Sequence, residues 1–108
     1  MLENSVWRQF HNDNNFREVL AGFYKVGSET LIDDDKTLYG VLKAKLTKKE
    51  LKLLAMDSAK VGDEEIKSAF GLDDEELDKT KKKLYKKMIQ DRVRLSFRAT
   101  SVTNEDAQ

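Results

Sequence analysis

The sequence predicts an all-α fold of five or six helices, and three observations carry that expectation. Proline is absent and glycine occurs only five times in 108 residues, so helices can run long and the turns between them must be tight. Apolar residues recur at spacings of three and four through much of the chain, the period of one face of a helix. Charged residues make up 37% of the chain against 39% apolar, the balance of a small, heavily solvated helical protein rather than a sandwich or barrel. A chain of this length forms one domain around a modest single core.

The first expected element is a short helix in which Leu2, Val6 and Phe10 recur every four residues with Trp7 beside them. HNDNN at 11–15 ends it, because these side chains compete for backbone hydrogen bonds. Phe16, Val19, Leu20 and Phe23 then follow i, i+3, i+4, i+7, and Gly27 is expected to stop that helix as a left-handed cap. Leu38, Val41 and Leu42 make a third stripe, preceded by Asp33, Asp34 and Asp35, where the helix dipole favours acids. The chain reads as one without an internal repeat.

LTKKELKLLAM at 46–56 is the clearest local signal. Thr47 and Glu50 have capping-box spacing, each able to satisfy an amide left open at a helix start, and Leu51, Leu54 and Ala55 face inward. Gly62 breaks the chain, Asp63 is expected to cap a short helix, and Ile66, Ala69 and Phe70 form its inner face. Gly71 breaks it again, and Asp73 with Glu76 repeats the capping logic for a last helix that buries Leu77, Leu84 and Met88. Leu54, Ile66, Phe70, Leu77 and Leu84 are the expected core of this region. RVRLSFR at 92–98 alternates as a strand would, yet Ile89, Val93 and Phe97 are spaced by four with no breaker between them, which favours a continuing helix. The organisation that follows is N-terminal helices over 1–45, packed on the main unit or offering a dimer surface, the main unit over 46–98, and a frayed tail over 99–108.

Composition excludes several classes of function. Cysteine is absent, so disulfide and thiolate chemistry are ruled out, and His11 is the single histidine, too few for a zinc site. Asp33–Asp35 lack the spacing and glycine of a calcium loop. No phosphate-binding glycine loop and no nucleophile paired with a base stand out, so neither an enzyme nor a cofactor is expected. No apolar run approaches a membrane span, which makes a cytoplasmic protein the default expectation.

Eight residues over 63–70, a two-residue break and a longer helix are the lengths of a helix-turn-helix, whose second helix enters the major groove. Over 46–88, without a gap, the chain resembles the helix-turn-helix shared by LuxR-type regulators and region four of bacterial sigma factors. The opening Leu-Thr-x-basic-Glu of that family is matched by Leu46, Thr47, Lys49 and Glu50, and its Glu-Ile by Glu65 and Ile66. Its later apolar positions fall on Phe70, Leu72 and Leu77, its capping Ser on Asp73, and its closing Lys-Leu on Lys87 and Met88. Lys67 stands where the family has a small Ala, Glu76 where it has a Thr, and Asp74, Glu75 and Asp78 occupy the turn nearest the phosphates.

The resemblance implies a small DNA-binding transcriptional regulator. Lys79, Lys82, Lys83 and Lys86 are then expected to contact the phosphates of double-stranded DNA, with Glu75, Glu76 and Asp78 nearest the bases. The nine basic residues and one acid of 79–98 give that segment 9 − 1 = +8, although the chain as a whole is neutral. Acids in the first turn and lysines after it are also what a helix dipole favours, at about 0.3–1 kcal/mol per well-placed charge, and by themselves need no function. The alternative expectation is a protein–protein interaction module on a helix-turn-helix scaffold that no longer reads DNA. It would self-associate as a homodimer or bind another protein, through the N-terminal aromatics or residues 89–97.

Overall fold

A computed structural model describes residues 5–98, so Leu2 and the tail expected over 99–108 lie outside it. The regular elements among the described residues are helical: α1 (Phe16–Tyr24), α2 (Asp35–Lys45), α3 (Lys48–Ser58), α4 (Asp63–Phe70), α5 (Asp74–Met88) and α6 (Asp91–Arg94). Single 3-10 turns stand at Trp7–Gln9, Ser28–Thr30 and Leu95–Phe97. One isolated β-bridge joins Leu31 to Arg98. No described helix is long and apolar enough to cross a membrane.

One apolar cluster runs from Trp7 to Phe97 and draws on every α-helix. Among the described residues the expected first helix is only a turn, Trp7–Gln9, and Trp7 is wholly buried in the core. Its indole nitrogen donates to Asn15 Oδ1 at 2.7 Å, which satisfies the one polar atom that burial would strand. The indole stacks on His11 at 4.3 Å and meets Phe16 edge-on at 5.9 Å, and Phe16 in turn packs on Tyr39 at 5.1 Å. His11 Nε2 lies 3.0 Å from both Ala55 O and Ser58 Oγ, which fixes the segment before α1 against α3. Burial holds the His11 imidazole below its ordinary pKa, against the opposing pull of the Ala55 carbonyl and the Asp13 charge.

The caps show which sequence signals acted. Asp34 caps α2 by accepting from Thr37 N at 2.9 Å. Thr47 and Glu50 close a full capping box on α3, as do Asp73 and Glu76 on α5. Gly71 ends α4 with φ 67°, the left-handed conformation glycine adopts without strain.

Two expected caps are corrected. Gly27 is extended (φ −72°, ψ 144°), and the left-handed residue that ends α1 is Lys25, with φ 57°. Gly62, not Asp63, holds the N-cap position of α4, and the Asp63 carboxylate instead accepts from Lys81 at 2.9 Å.

Both corrections expose a short internal repeat. KVGSE at 25–29 and KVGDE at 60–64 share one backbone course. Lys60, with φ 64°, ends α3 as Lys25 ends α1, and Gly62 is extended like Gly27. Val26 N donates to Ala21 O and Val61 N to Met56 O, each at 3.0 Å and each five residues back. Lys25 N donates to Gly22 O at 3.3 Å and Lys60 N to Asp57 O at 3.0 Å, completing the same helix-ending motif twice. Four residues beyond each glycine, Leu31 and Ile66 are both fully buried. From there the two copies diverge: the first makes one 3-10 turn, the second makes α4.

The expected continuous helix through Phe97 is interrupted. Gln90 is extended (ψ 140°), and a new helix starts at Asp91. The break turns Val93 and Phe97 into the core and leaves Ile89 60% exposed, so the spacing of four does not describe one face. Leu54, Ile66, Leu77 and Leu84 are buried as the apolar pattern requires. Phe70 is only half-buried, and the Lys52 ammonium sits 5.6 Å over its ring.

Candidate nucleic-acid interface

α5 carries every residue that the sequence singles out for nucleic acid. Asp73 Oδ1 accepts from Glu76 N at 2.8 Å, and Glu76 Oε1 accepts from Asp73 N at 3.0 Å. Leu77, Leu84 and Met88 point the other face of the helix into the core. Glu75, Asp78, Lys79, Lys82, Lys83 and Lys86 are all exposed, and their steps of three and four make them one stripe along the outward face. Glu76 is exposed as well, but its carboxylate is held in the cap and so stands apart from that stripe.

The lysines of this region fall into two sets. Lys81 Nζ binds Asp57 at 3.2 Å and Asp63 at 2.9 Å, tying α5 to α3 and to the start of α4. The bond to Asp63 raises the Lys81 pKa against its partial burial, with Asp57 adding to the effect. Lys87 Nζ binds Glu50 Oε1 at 2.8 Å, which ties the end of α5 to the start of α3. Burial pushes the Glu50 carboxyl up, but Lys87 and the Thr47 amide together hold it below its usual value. Lys67, where the resembling family has Ala, bridges Glu64 at 2.7 Å and Asp74, and both bonds raise its pKa. That bridge spans the α4–α5 turn.

The other set is free. Lys79, Lys83 and Lys86 make no ion pair among the described residues. Lys82 pairs only with Asp78, at 3.0 Å one turn back, and stays 77% exposed. An exposed pair of that kind contributes about 0.3–0.5 kcal/mol and yields readily to another anion.

The acids of the turn are mostly engaged. Asp74 is bound by Lys67, Asp78 by Lys82, and Glu76 and Asp73 by each other's backbone amides. Glu75 is left without a partner among the described residues.

Two neighbouring features were passed over in the sequence. Lys48 and Lys49 are exposed in the first turn of α3, adjacent in sequence to Glu50, which Lys87 at the end of α5 binds. Cations in a first turn oppose the helix dipole, and that misfit was the available signal. The Tyr85 hydroxyl donates to Asp57, and burial followed by that carboxylate raises its pKa. A contact across 28 residues leaves no local pattern to read.

Among the described residues, no group of three or more His, Asp or Glu side chains is placed to hold a metal ion. Comparison of the chain with protein-family models, curated proteins and solved structures found no match to any of them.

Proposed function

We propose that this protein binds double-stranded DNA through the outward face of α5, as a small helix-turn-helix regulator would. The observation that carries the reading is the sorting of the lysines. Lys67, Lys81 and Lys87 are consumed by ion pairs that hold α3, α4 and α5 together, whereas Lys79, Lys82, Lys83 and Lys86 stand on one exposed stripe with no structural task. Four exposed cations on one face of a helix can each meet a phosphate and release a counterion on binding. The acids at the start of α5 weaken this less than their number suggests, because Asp74 is paired with Lys67 and the Glu76 carboxylate is held in the helix cap, although Asp78 is offset only by Lys82, itself one of the four.

The test is a salt series on random-sequence duplex, read by fluorescence anisotropy between about 50 and 200 mM salt. Four phosphate contacts give a slope of about −3.6 in log K against log salt, and each lysine changed to Gln removes about 0.9 of it. The variant with all four changed should retain its thermal transition and lose binding. Equal affinity of that variant and the wild type, or no binding by either, would sink the reading.

A further inference from the structure

Three large apolar side chains are left exposed among the described residues: Val26 at 42%, Ile89 at 60% and Leu95 at 47%. Each lies close in sequence to one contact between α1 and the C-terminal segment. The Tyr24 hydroxyl donates to Met88 O at 2.8 Å, and the Tyr24 ring lies 6.2 Å from that of Phe97. Val26, Ile89 and Leu95 each stand within two residues of one member of that trio. Exposed Lys25, Arg92 and Arg98 flank them, and none of the three enters an ion pair among the described residues. The end of the molecule where α5 gives way to α6 is therefore apolar with a cationic border.

The far end of α5 is its complement. The helix separates the two ends by about 21 Å. Residues 63–78 hold eight acids and one lysine, 1 − 8 = −7, against the +8 of residues 79–98. Phe70 and Leu72, both half-buried, place apolar surface among those acids. Lys67, Lys81 and Lys82 offset part of the acidic block, and Glu50 and Asp91 part of the basic one, but Glu65, Asp73, Glu75 and Glu76 on one side and Lys25, Arg92 and Arg98 on the other enter no ion pair among the described residues.

We propose that this end accepts a second copy of the chain, docked head to tail, with the α4–α5 turn of one copy seated on Val26, Ile89 and Leu95 of the next. Pairing the basic end with itself would set Arg92 and Arg98 of one copy against the same residues of the other. Docking on the acidic end neutralises both. Three apolar side chains fall far short of the roughly 800 Å² per partner of a stable interface, so the contact is weak and depends on charge. The two surfaces differ, so the contact is head to tail and each added copy leaves a further surface to fill, in an open row or in a ring of several copies. None of this draws on the DNA reading, and its test contains no nucleic acid.

Sedimentation equilibrium on the full chain decides it, with two double variants. Ile89→Asp with Leu95→Asp spoils the basic end, and Glu65→Lys with Glu75→Lys spoils the acidic end. All four positions are exposed, so both variants should keep the wild-type circular dichroism melt. At low salt the wild type should grow in average mass with concentration, pass the mass of a dimer without a plateau, and fall back to a monomer at high salt. Each variant alone should stay monomeric, and an equimolar mixture should form a one-to-one dimer and nothing larger. A wild type that is monomeric throughout overturns the proposal. So does a plateau at a dimer, or an acidic-end variant that still associates alone.

Discussion

The two Lys-Val-Gly turns start alike and are secured by different chemistry. After the first, Arg17 on α1 reaches across residues 28–35 and binds mostly backbone: Ser28 O at 3.3 Å, Ile32 O at 2.5 Å, Asp33 O at 2.7 Å and the Asp35 carboxylate at 2.9 Å. One guanidinium, with five donors in a fixed fork, satisfies a segment too short to form its own helix. After the second, α4 satisfies its own backbone, and the charges that secure it join side chain to side chain, Lys81 to Asp63 and Lys67 to Asp74. Residues 1–62 hold ten basic and nine acidic residues, 10 − 9 = +1, and Arg17 is spent on the backbone there. Among the described residues, ten of the nineteen charged residues over 63–98 enter ion pairs, against four of the eighteen over 5–62, so the later half leans on side-chain charge where the earlier half leans on one arginine.

The equivalence of the two turns rests most heavily on Leu31 and Ile66, which occupy the same place in each copy and are fully buried. Leu31→Ala and Ile66→Ala should each destabilise by about 2–5 kcal/mol, the range for emptying a large aliphatic site in a core. Urea unfolding of both variants checks this. A near-neutral Leu31→Ala would show that the first turn is held by Arg17 alone and that the resemblance of the two copies is confined to the backbone.

The difference between the halves is sharpened by removing one cation from each. Arg17→Met should cost about 1–3 kcal/mol, because several carbonyls lose a charged donor together. Lys81→Met should cost less than about 1 kcal/mol, since Asp57 and Asp63 can both turn to water and the methionine stem keeps the packing. Equal losses in the two variants would mean that the ion pairs of α5 are as structural as the arginine clamp.

Much of the helical order was legible because it is written locally. Thr47 with Glu50 and Asp73 with Glu76 set two helix starts from side chains three residues apart. The outward stripe of α5 was legible for the same reason, since Lys79, Lys82, Lys83 and Lys86 repeat at helical spacing and no distant contact is needed to place them. What escaped depends on distance. Gln90 carries no breaker signal, and the chain turns there because Val93 and Phe97 reach a core built by residues far earlier in sequence. The pairing of Lys81 and Lys87 with Asp57, Asp63 and Glu50 separates structural lysines from free ones, and it is invisible to spacing along α5. The left-handed lysines escaped because glycine two residues later is the commoner sign, and only the repetition of KVG hints otherwise.

Those two lysines give the smallest effect. A left-handed backbone costs an ordinary L-residue roughly 1–2 kcal/mol, while glycine adopts it freely but loses more chain entropy on folding. The difference should leave Lys25→Gly and Lys60→Gly each more stable than the wild type by about 0.5–1 kcal/mol. Both lysines are exposed and neither enters an ion pair among the described residues, so no contact is lost to offset the gain. The two changes lie in separate turns and should add, which a double variant measured in the same urea series checks directly. If the turns are true copies, the two gains should match. A gain at Lys60 with a loss at Lys25 would instead mark Lys25 as held by something besides its backbone, and it stands at the cationic border of the Val26, Ile89 and Leu95 surface.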